Sequence, residues 1–416
     1  YSLVEDYHST IEAYQGFLDR LRPNGLLVIT RWLQTPPSES LRSFALAVTA
    51  LEESGLDPAA HLVAFRSFNT TTILVSRSAF LPGELQSIRQ FTSERAFDMI
   101  IAPDINPDET NRYNVLPESV YYQNFKALLA AQPRDSFYRH YSLDVSPPAD
   151  NRPFFGHYFK WSQAGQVFSE LGKTWQPFGG AGYFVILALL ALAALSAGIL
   201  ILLPVIITPK QTITNYPGRR SAIGTPYLFY FGMIGLAFML IEIPLIQHFI
   251  LFIGEPAYSL ATVLFSLLLF SGIGSQLSPK IHLKLALGIL VFILLLLPIL
   301  LPAIFETALG LSFVFRLAIT CLLILPIGVL MGVPFSGGIL WMGKMSANYG
   351  LIPWAWAVNG AASVVASILA ALLVITLGFV SVLLIGALCY FGAFVIVILK
   401  EHHPPVQLPH LETGQN

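Results

Sequence analysis

A carboxylate in the middle of an apolar run opens the chemical inventory of this chain. Glu242 sits in Phe238-Met-Leu-Ile-Glu242-Ile-Pro244, with Gln247 and His248 farther along, and Arg316 and Asn359 occupy two later apolar runs. Polar groups are costly away from water, so each is a candidate for binding, for proton movement or for pairing. Counting at 1.5 Å per residue, Glu242 falls roughly 17 Å and Arg316 roughly 10 Å below the same end of their runs. The two are therefore a possible pair. The competing roles are an ion pair or amide that fixes helix register, a proton or substrate path, and an arginine that snorkels along its methylenes to the surface. Pro244 removes a backbone donor and frees the carbonyl near Leu240, a binding group or only a kink.

Other constellations are weaker. His140, Asp144, Asp150 and His157 lack the tight His-x-x-x-His or Cys-x-x-Cys spacing of a zinc site, so solvated loop residues and no metal are expected. No G-x-S-x-G elbow marks a nucleophile. Cys321 and Cys389 both lie in apolar stretches, which indicates neither a disulfide framework nor a thiolate metal site. Net charge is −1 and no Lys/Arg-rich run exists, so nucleic acid is excluded as a partner.

The elements that must carry these residues follow from the distribution of charge. Charged residues are 11% of the chain against about 25% in soluble domains. Residues 1–182 hold 34 of the 47 charged side chains, 183–399 hold ten and 400–416 hold three. A spanning helix needs roughly 20 apolar residues, and seven stretches qualify: 183–207, 227–253, 258–277, 285–305, 309–331, 354–378 and 380–399. The expectation is a bundle of about seven helices in the lipid bilayer, in a multi-pass protein such as those of the bacterial inner membrane. Gly328 and Gly332 form a GxxxG pair. Ser363, Ser367 and Ala371 run down one face beside Ala362, Ala366 and Ala370. Such small residues let helix backbones approach closely, within one bundle or between two copies. Lys210, Arg219, Arg220, Lys280, Lys284, Lys344 and Lys400 fall on one side of the spans, while the opposite loops carry Glu255 and Glu306. Positive charge stays cytoplasmic, so these loops favour placing residues 1–182 outside.

Residues 1–182 alternate helix and strand signals. Helical spacing covers 2–21, 38–54, 85–94 and 119–131, and short apolar or β-branched runs at 26–30, 61–68, 70–76 and 97–102 read as strands, with 61–68 and 70–76, separated by about Asn69, a hairpin-like pair. Helices between strands imply an α/β layer fold.

The order of helix, LRPNGLLVIT strand, helix and two closing strands resembles the second half of a class I S-adenosylmethionine-binding, Rossmann-like domain. In that fold the last strand inserts antiparallel beside the fifth. YSLVEDYHSTIEAYQGFLDRLRPNGLLVITRW (1–32) and YSLDVSPPADNRPFF (141–155) resemble the soluble domain of membrane-embedded spermidine synthase-like proteins. GMIGLAFMLIEIPLIQHFILFIGEPAYSLATVLFSLLLFSGIGS (232–275), LPIGVLMGVPFSGGIL (325–340) and PWAWAVNGAASVVAS (353–367) look like that family's helices. The resemblance implies four parts: 1–165 as the C-terminal part of an aminopropyltransferase or methyltransferase-like domain, 166–182 as linker, 183–399 as membrane domain and 400–416 as a polar, disordered tail.

It also implies chemistry. An acceptor amine attacks the carbon next to the sulfonium of S-adenosylmethionine or of its decarboxylated form. The family's glycine-rich turn, acidic cofactor residue and catalytic Asp would all precede Tyr1, so the chain as given is expected to bind the cofactor poorly. What remains is a rim. Glu5, Asp6 and Tyr7 begin the helix after the catalytic loop, where a carboxylate could hold a cationic polyamine and Tyr7 pack its methylenes. Ordinary helix-start chemistry explains the acids equally well. Asp150-Asn151-Arg152-Pro153-Phe154-Phe155 fits a family motif and reads as a strut between domain and membrane. Two functions stay open: a membrane-anchored aminopropyl- or methyltransferase-like enzyme, and a transporter or scaffold whose soluble domain is regulatory or degenerate. The cofactor is cytoplasmic whereas the loop charges put residues 1–182 outside, and that conflict separates them.

Overall fold

The computed structural model describes residues 4–163, 165, 181–204, 225–346 and 351–402. The expected linker, the tail and the cationic loop at 208–226 lie wholly or largely outside them. Contacts divide the chain into Tyr1–Val185 and Ile186–Asn416, and each unit is built on its own terms.

In the first unit, α1 (Ile11–Arg20) begins where the Thr10 side chain accepts the Ala13 N–H, a standard N-cap. The helical pattern was expected from residue 2, so Glu5, Asp6 and Tyr7 precede the helix rather than start it. The reason is a competing partner: the Asp6 N–H bonds the Pro153 carbonyl at 2.7 Å. After Pro23 and Gly25, β1 (Leu26–Trp32) leads to α2 (Glu39–Glu53), α3 (Pro58–His61), β2 (Leu62–Arg66), β3 (Thr70–Ser76), α4 (Pro82–Glu94), β4 (Asp98–Ile101), α5 (Val120–Ala130) and α6 (Arg134–His140). The sheet order is β1-β3-β2-β4, and each neighbouring pair is antiparallel.

Helices do alternate with strands, but these strands form no doubly wound parallel sheet of the Rossmann-like kind. A tight turn at Ser67–Asn69, closed by the Ser67 N–H to the Thr70 carbonyl, joins β2 to β3 as a hairpin. Parallel neighbours would need a long crossover there. β3 thus lies between β1 and β2, which run in the same direction. Strand alternation sends Ile29, Ala64, Ile73 and Val75 into a core with α1, α2 and α5, while Val63, Phe65, Leu74 and Met99 meet α4 on the other face.

Two buried arginines tie the loops to this core. Arg66 lies 3.2 Å from Asp98, whose carboxylate also accepts the N–H groups of Arg112, Tyr113 and Asn114. Arg42 donates to the carbonyls of Phe154, Phe155 and Asp144 and lies over the Tyr158 ring at 4.4 Å. Removing one member of such a pair costs roughly 3–5 kcal/mol, because it strands the other charge.

The second unit takes most of α7 (Ala181–Ala197), then α8 (Thr225–Ile253), α9 (Pro256–Leu277), α10 (Leu283–Ala308), α11 (Phe313–Ser346), α12 (Ile352–Leu377) and α13 (Phe379–His402). All seven helices are long and apolar enough to cross a membrane. Leu192, Phe265, Leu268, Ile299 and Leu322 are all more than 60% exposed, as lipid-facing positions must be. The fifth span was expected at 309–331. It starts four residues later and runs for 34 residues, about 51 Å at 1.5 Å per residue, with Pro326 and Pro334 inside it. α12 and α13 break at Gly378, whose φ is +81°.

Glycines set the closest crossing. A Cβ on Gly274 would sit 1.9 Å from the Val329 carbonyl oxygen, and one on Gly332 would sit 2.0 Å from that of Ser271. The GxxxG pair is therefore used within the bundle, and α9 and α11 run parallel through it. Replacing Gly274 or Gly332 with Val should abolish a monodisperse folded species in detergent gel filtration. Gly360→Val, at a site with nothing within 4 Å of the new Cβ, should elute as the parent does.

Candidate functional site

The segment before α1 gathers acidic groups from both ends of the first unit. Thr10 Oγ1 donates to Asp150 at 2.7 Å, and the Asp150 N–H bonds Glu12 Oε2 at 2.9 Å. The Ile11 N–H reaches the Pro148 carbonyl. Residues 146–155 thus clasp the start of α1. Phe155 is buried in the core shared by α1, α2 and α5, and the Arg31 guanidinium lies 4.6 Å from its ring centroid. Arg152 pairs with Asp144 at 3.7 Å and with Ser146 Oγ. Among the described residues this segment forms a clasp within the first unit.

Electrostatics marks the same place. Burial pushes the Glu5 carboxyl up to about 7, so it changes charge near neutrality. Tyr7 is raised by burial, and then by the charges of Glu5 and Asp150. Its hydroxyl is buried and has no partner among the described residues. Burial also raises Asp150 and Glu12, each partly offset by a hydrogen bond. Asp6 stays half-exposed and accepts the His8 N–H at 3.1 Å. Beside the clasp, burial pushes His157 down to about 4, assisted by Arg42 and Arg152, so its ring is neutral. The arrangement is a half-buried anionic rim with one phenol turned inward. A cation seated there would restore the Glu5 charge and relieve the repulsion between Glu12 and Asp150.

Sequence reasoning named Glu5, Asp6 and Tyr7 but missed Glu12, Asp150 and Tyr158 as their neighbours. Those residues are separated by up to about 150 positions, and no local spacing signals the approach. Among the described residues no cluster of three or more His, Cys, Asp or Glu could hold a metal ion.

The four intramembrane groups are not brought together. Arg316 stands in the first turn of α11, nearer the helix end than expected, and donates to the Phe252 carbonyl at 2.9 Å. It meets the last turn of α8, where carbonyls lack helical donors and the helix dipole favours a cation. Glu242 is ten residues earlier on α8, about 15 Å away along the axis, and makes no hydrogen bond or ion pair among the described residues. The pairing considered for the two does not form. His248 Nδ1 lies 2.8 Å from the Pro244 carbonyl, which can only accept, so Nδ1 carries the proton. Asn359 donates to the Phe231 carbonyl at 3.0 Å, and Ser363 to that of Gly235 at 3.2 Å, joining α12 to α8.

No protein-family model, curated protein or solved structure matches the chain.

Between about pH 4.5 and 7 the folded chain holds a proton on Glu5 that the unfolded chain has lost. Stability therefore falls as pH rises through that window, then levels off. Glu5→Gln should flatten this part of the profile and melt at a higher temperature than the parent at pH 8, as read by thermal scans from pH 4.5 to 8.

Proposed function

We propose that the first unit is the acceptor-binding part of a spermidine synthase-like domain carried by a multi-pass membrane protein, and that its rim takes a cationic polyamine. The observation that carries this reading is the anionic rim itself. Of Glu5, Asp6 and Tyr7, the residues to which the resemblance gives the acceptor, Tyr7 feels the charges of both Glu5 and Asp150, and Asp150 is in turn bonded to Glu12. The insertion of β3 antiparallel between β1 and β2 supports the fold part of the reading, because that is the closing arrangement of the class I domain. The residues present do not suit S-adenosylmethionine or its decarboxylated form: no glycine-rich turn links a strand to a helix among the described residues. No transfer step is assigned to this chain.

The loop charges favour a second reading, a transporter or scaffold with a degenerate soluble unit. Lys280, Lys284 and Lys400 gather at one end of the helices, where Lys284 pairs with Glu401. Glu255 and Glu306 lie at the other end, where Arg316, the one cation among the described residues of that end, is bonded to a backbone carbonyl. The positive-inside rule then argues for an external first unit.

Two measurements test these readings. Isothermal titration of the full chain with putrescine at pH 8 should show saturable binding that weakens about tenfold in Asp6→Asn, the loss of one charge-assisted contact. A flat titration would end the polyamine reading. Sidedness follows from Asn69→Cys, an exposed turn position, with Cys321 and Cys389 replaced. Protection from an impermeant maleimide in intact cells is expected for a unit that works on cytosolic metabolites. Labelling from outside would sink that enzyme and leave the transporter or scaffold.

A further inference from the structure

The membrane unit contains a cavity of about 390 Å³ among α8, α9, α11, α12 and α13, room for roughly a dozen waters by volume. Phe238, Leu268 and Phe335 supply apolar wall. Six polar side chains converge on the same space: Ser271, Ser275, Ser336, Asn359, Ser363 and Tyr390. Most of their donors are already committed. Ser271 donates to the Leu268 carbonyl, and Ser275 and Ser336 bond each other. Asn359 and Ser363 donate to carbonyls of α8. Tyr390 differs. The residue is 1% exposed, it lines the cavity, and its hydroxyl makes no hydrogen bond among the described residues. It is a donor without an acceptor, set against a cavity.

The lining defines the ligand by what it omits. No Asp, Glu, Lys, Arg or His faces the cavity, and Glu242 is not part of the wall. A charged solute would be desolvated there without a counter-charge, which costs several kcal/mol per ion. The cavity therefore does not suit the polyamine proposed for the first unit. Its mouth is informative as well. Leu268 is 66% exposed and Gly272 is exposed. Leu268 lies twelve residues from one end of α9 and nine from the other, about 18 and 14 Å. An opening at that depth faces hydrocarbon rather than water.

We propose that this cavity binds an uncharged amphiphile from the bilayer, with one hydroxyl or carbonyl head held by Tyr390 and an apolar body against Phe238 and Phe335. The ligand enters sideways past Gly272. The proposal concerns the membrane unit alone and does not rest on the polyamine reading.

The test is photo-crosslinking of the full chain in nanodiscs with a diazirine-bearing dodecanol, beside its trimethylammonium analogue, with labelled peptides mapped by mass spectrometry. The alcohol should label peptides carrying Ser271–Ser275 or Ser336 saturably, and the cation should not. Tyr390→Phe keeps the volume and removes only the donor, so saturable labelling should need about tenfold more alcohol, the loss of one hydrogen bond. Gly272→Leu has space for its side chain, with nothing within 4 Å of the new Cβ, and should block entry while eluting as the parent does. Absence of saturable cavity labelling in the parent overturns the proposal. So does equal labelling by the cation, or an unchanged concentration dependence in Tyr390→Phe.

Discussion

Hydrocarbon offers no hydrogen-bond partner, so a polar group inside the second unit must find one within the protein or remain expensive. That constraint explains why most buried polar groups of the bundle turn to backbone carbonyls, beside the side-chain pairs Ser275–Ser336 and Ser266–Cys321. Arg316 takes the last turn of α8, Asn359 and Ser363 take carbonyls in its first half, Tyr230 takes the Pro334 carbonyl and Ser259 that of Ile246. Each bond needs close backbone approach. The glycines permit it: Gly235 faces Asn359 so tightly that a Cβ there would lie 2.5 Å from the Asn359 carbonyl oxygen. Small residues and polar residues are thus two halves of one device, and the bundle's order follows from where they coincide.

The same constraint makes exceptions informative. Glu242 makes no hydrogen bond or ion pair among the described residues, the Gln247 Oε1 atom is buried without a partner, and Tyr390 lines a cavity. These three groups differ in setting. Tyr390 meets a cavity with a mouth in the lipid, whereas Glu242 lies outside that lining. An unpaired group beside a cavity has room for a ligand to supply the missing partner. Ranking intramembrane residues by charge therefore misleads. Arg316 keeps one bond to the Phe252 carbonyl while its Nε has no partner among the described residues, and the neutral phenol is the group that meets open space.

Legibility in the sequence divides along the same physical line. Seven apolar helices could be read because length and hydropathy are local properties, and α8, α9 and α12 begin and end within a few residues of expectation. α11 could not. Its extension to Ser346 depends on packing that tolerates Pro334 inside the helix, and local sequence marks that proline as a stop. In the first unit the strands were legible from their β-branched and aromatic runs, and the hairpin from the turn at Asn69. The antiparallel order follows from that hairpin. Glu5, Asp6 and Tyr7 were legible as residues but not as geometry, because the Asp6–Pro153 and Thr10–Asp150 bonds that pull them off the helix join positions some 140 apart.

That clasp bears on how the two halves of the first unit depend on each other. Its segment from 144 to 158 supplies carbonyls to Arg42, a carboxylate to Thr10 and a ring to the core. Arg42 is 1% exposed, so its charge is tolerated only while those carbonyls and Asp144 stay in place. The rim is built on the same segment through Asp150. Loss of the clasp would therefore expose a buried cation and disperse the carboxylates together, coupling the anionic character of the rim to the integrity of the core. A rim of that kind cannot be loosened without cost to the fold, which leaves half-exposed groups such as Asp6 as the ones freest to vary.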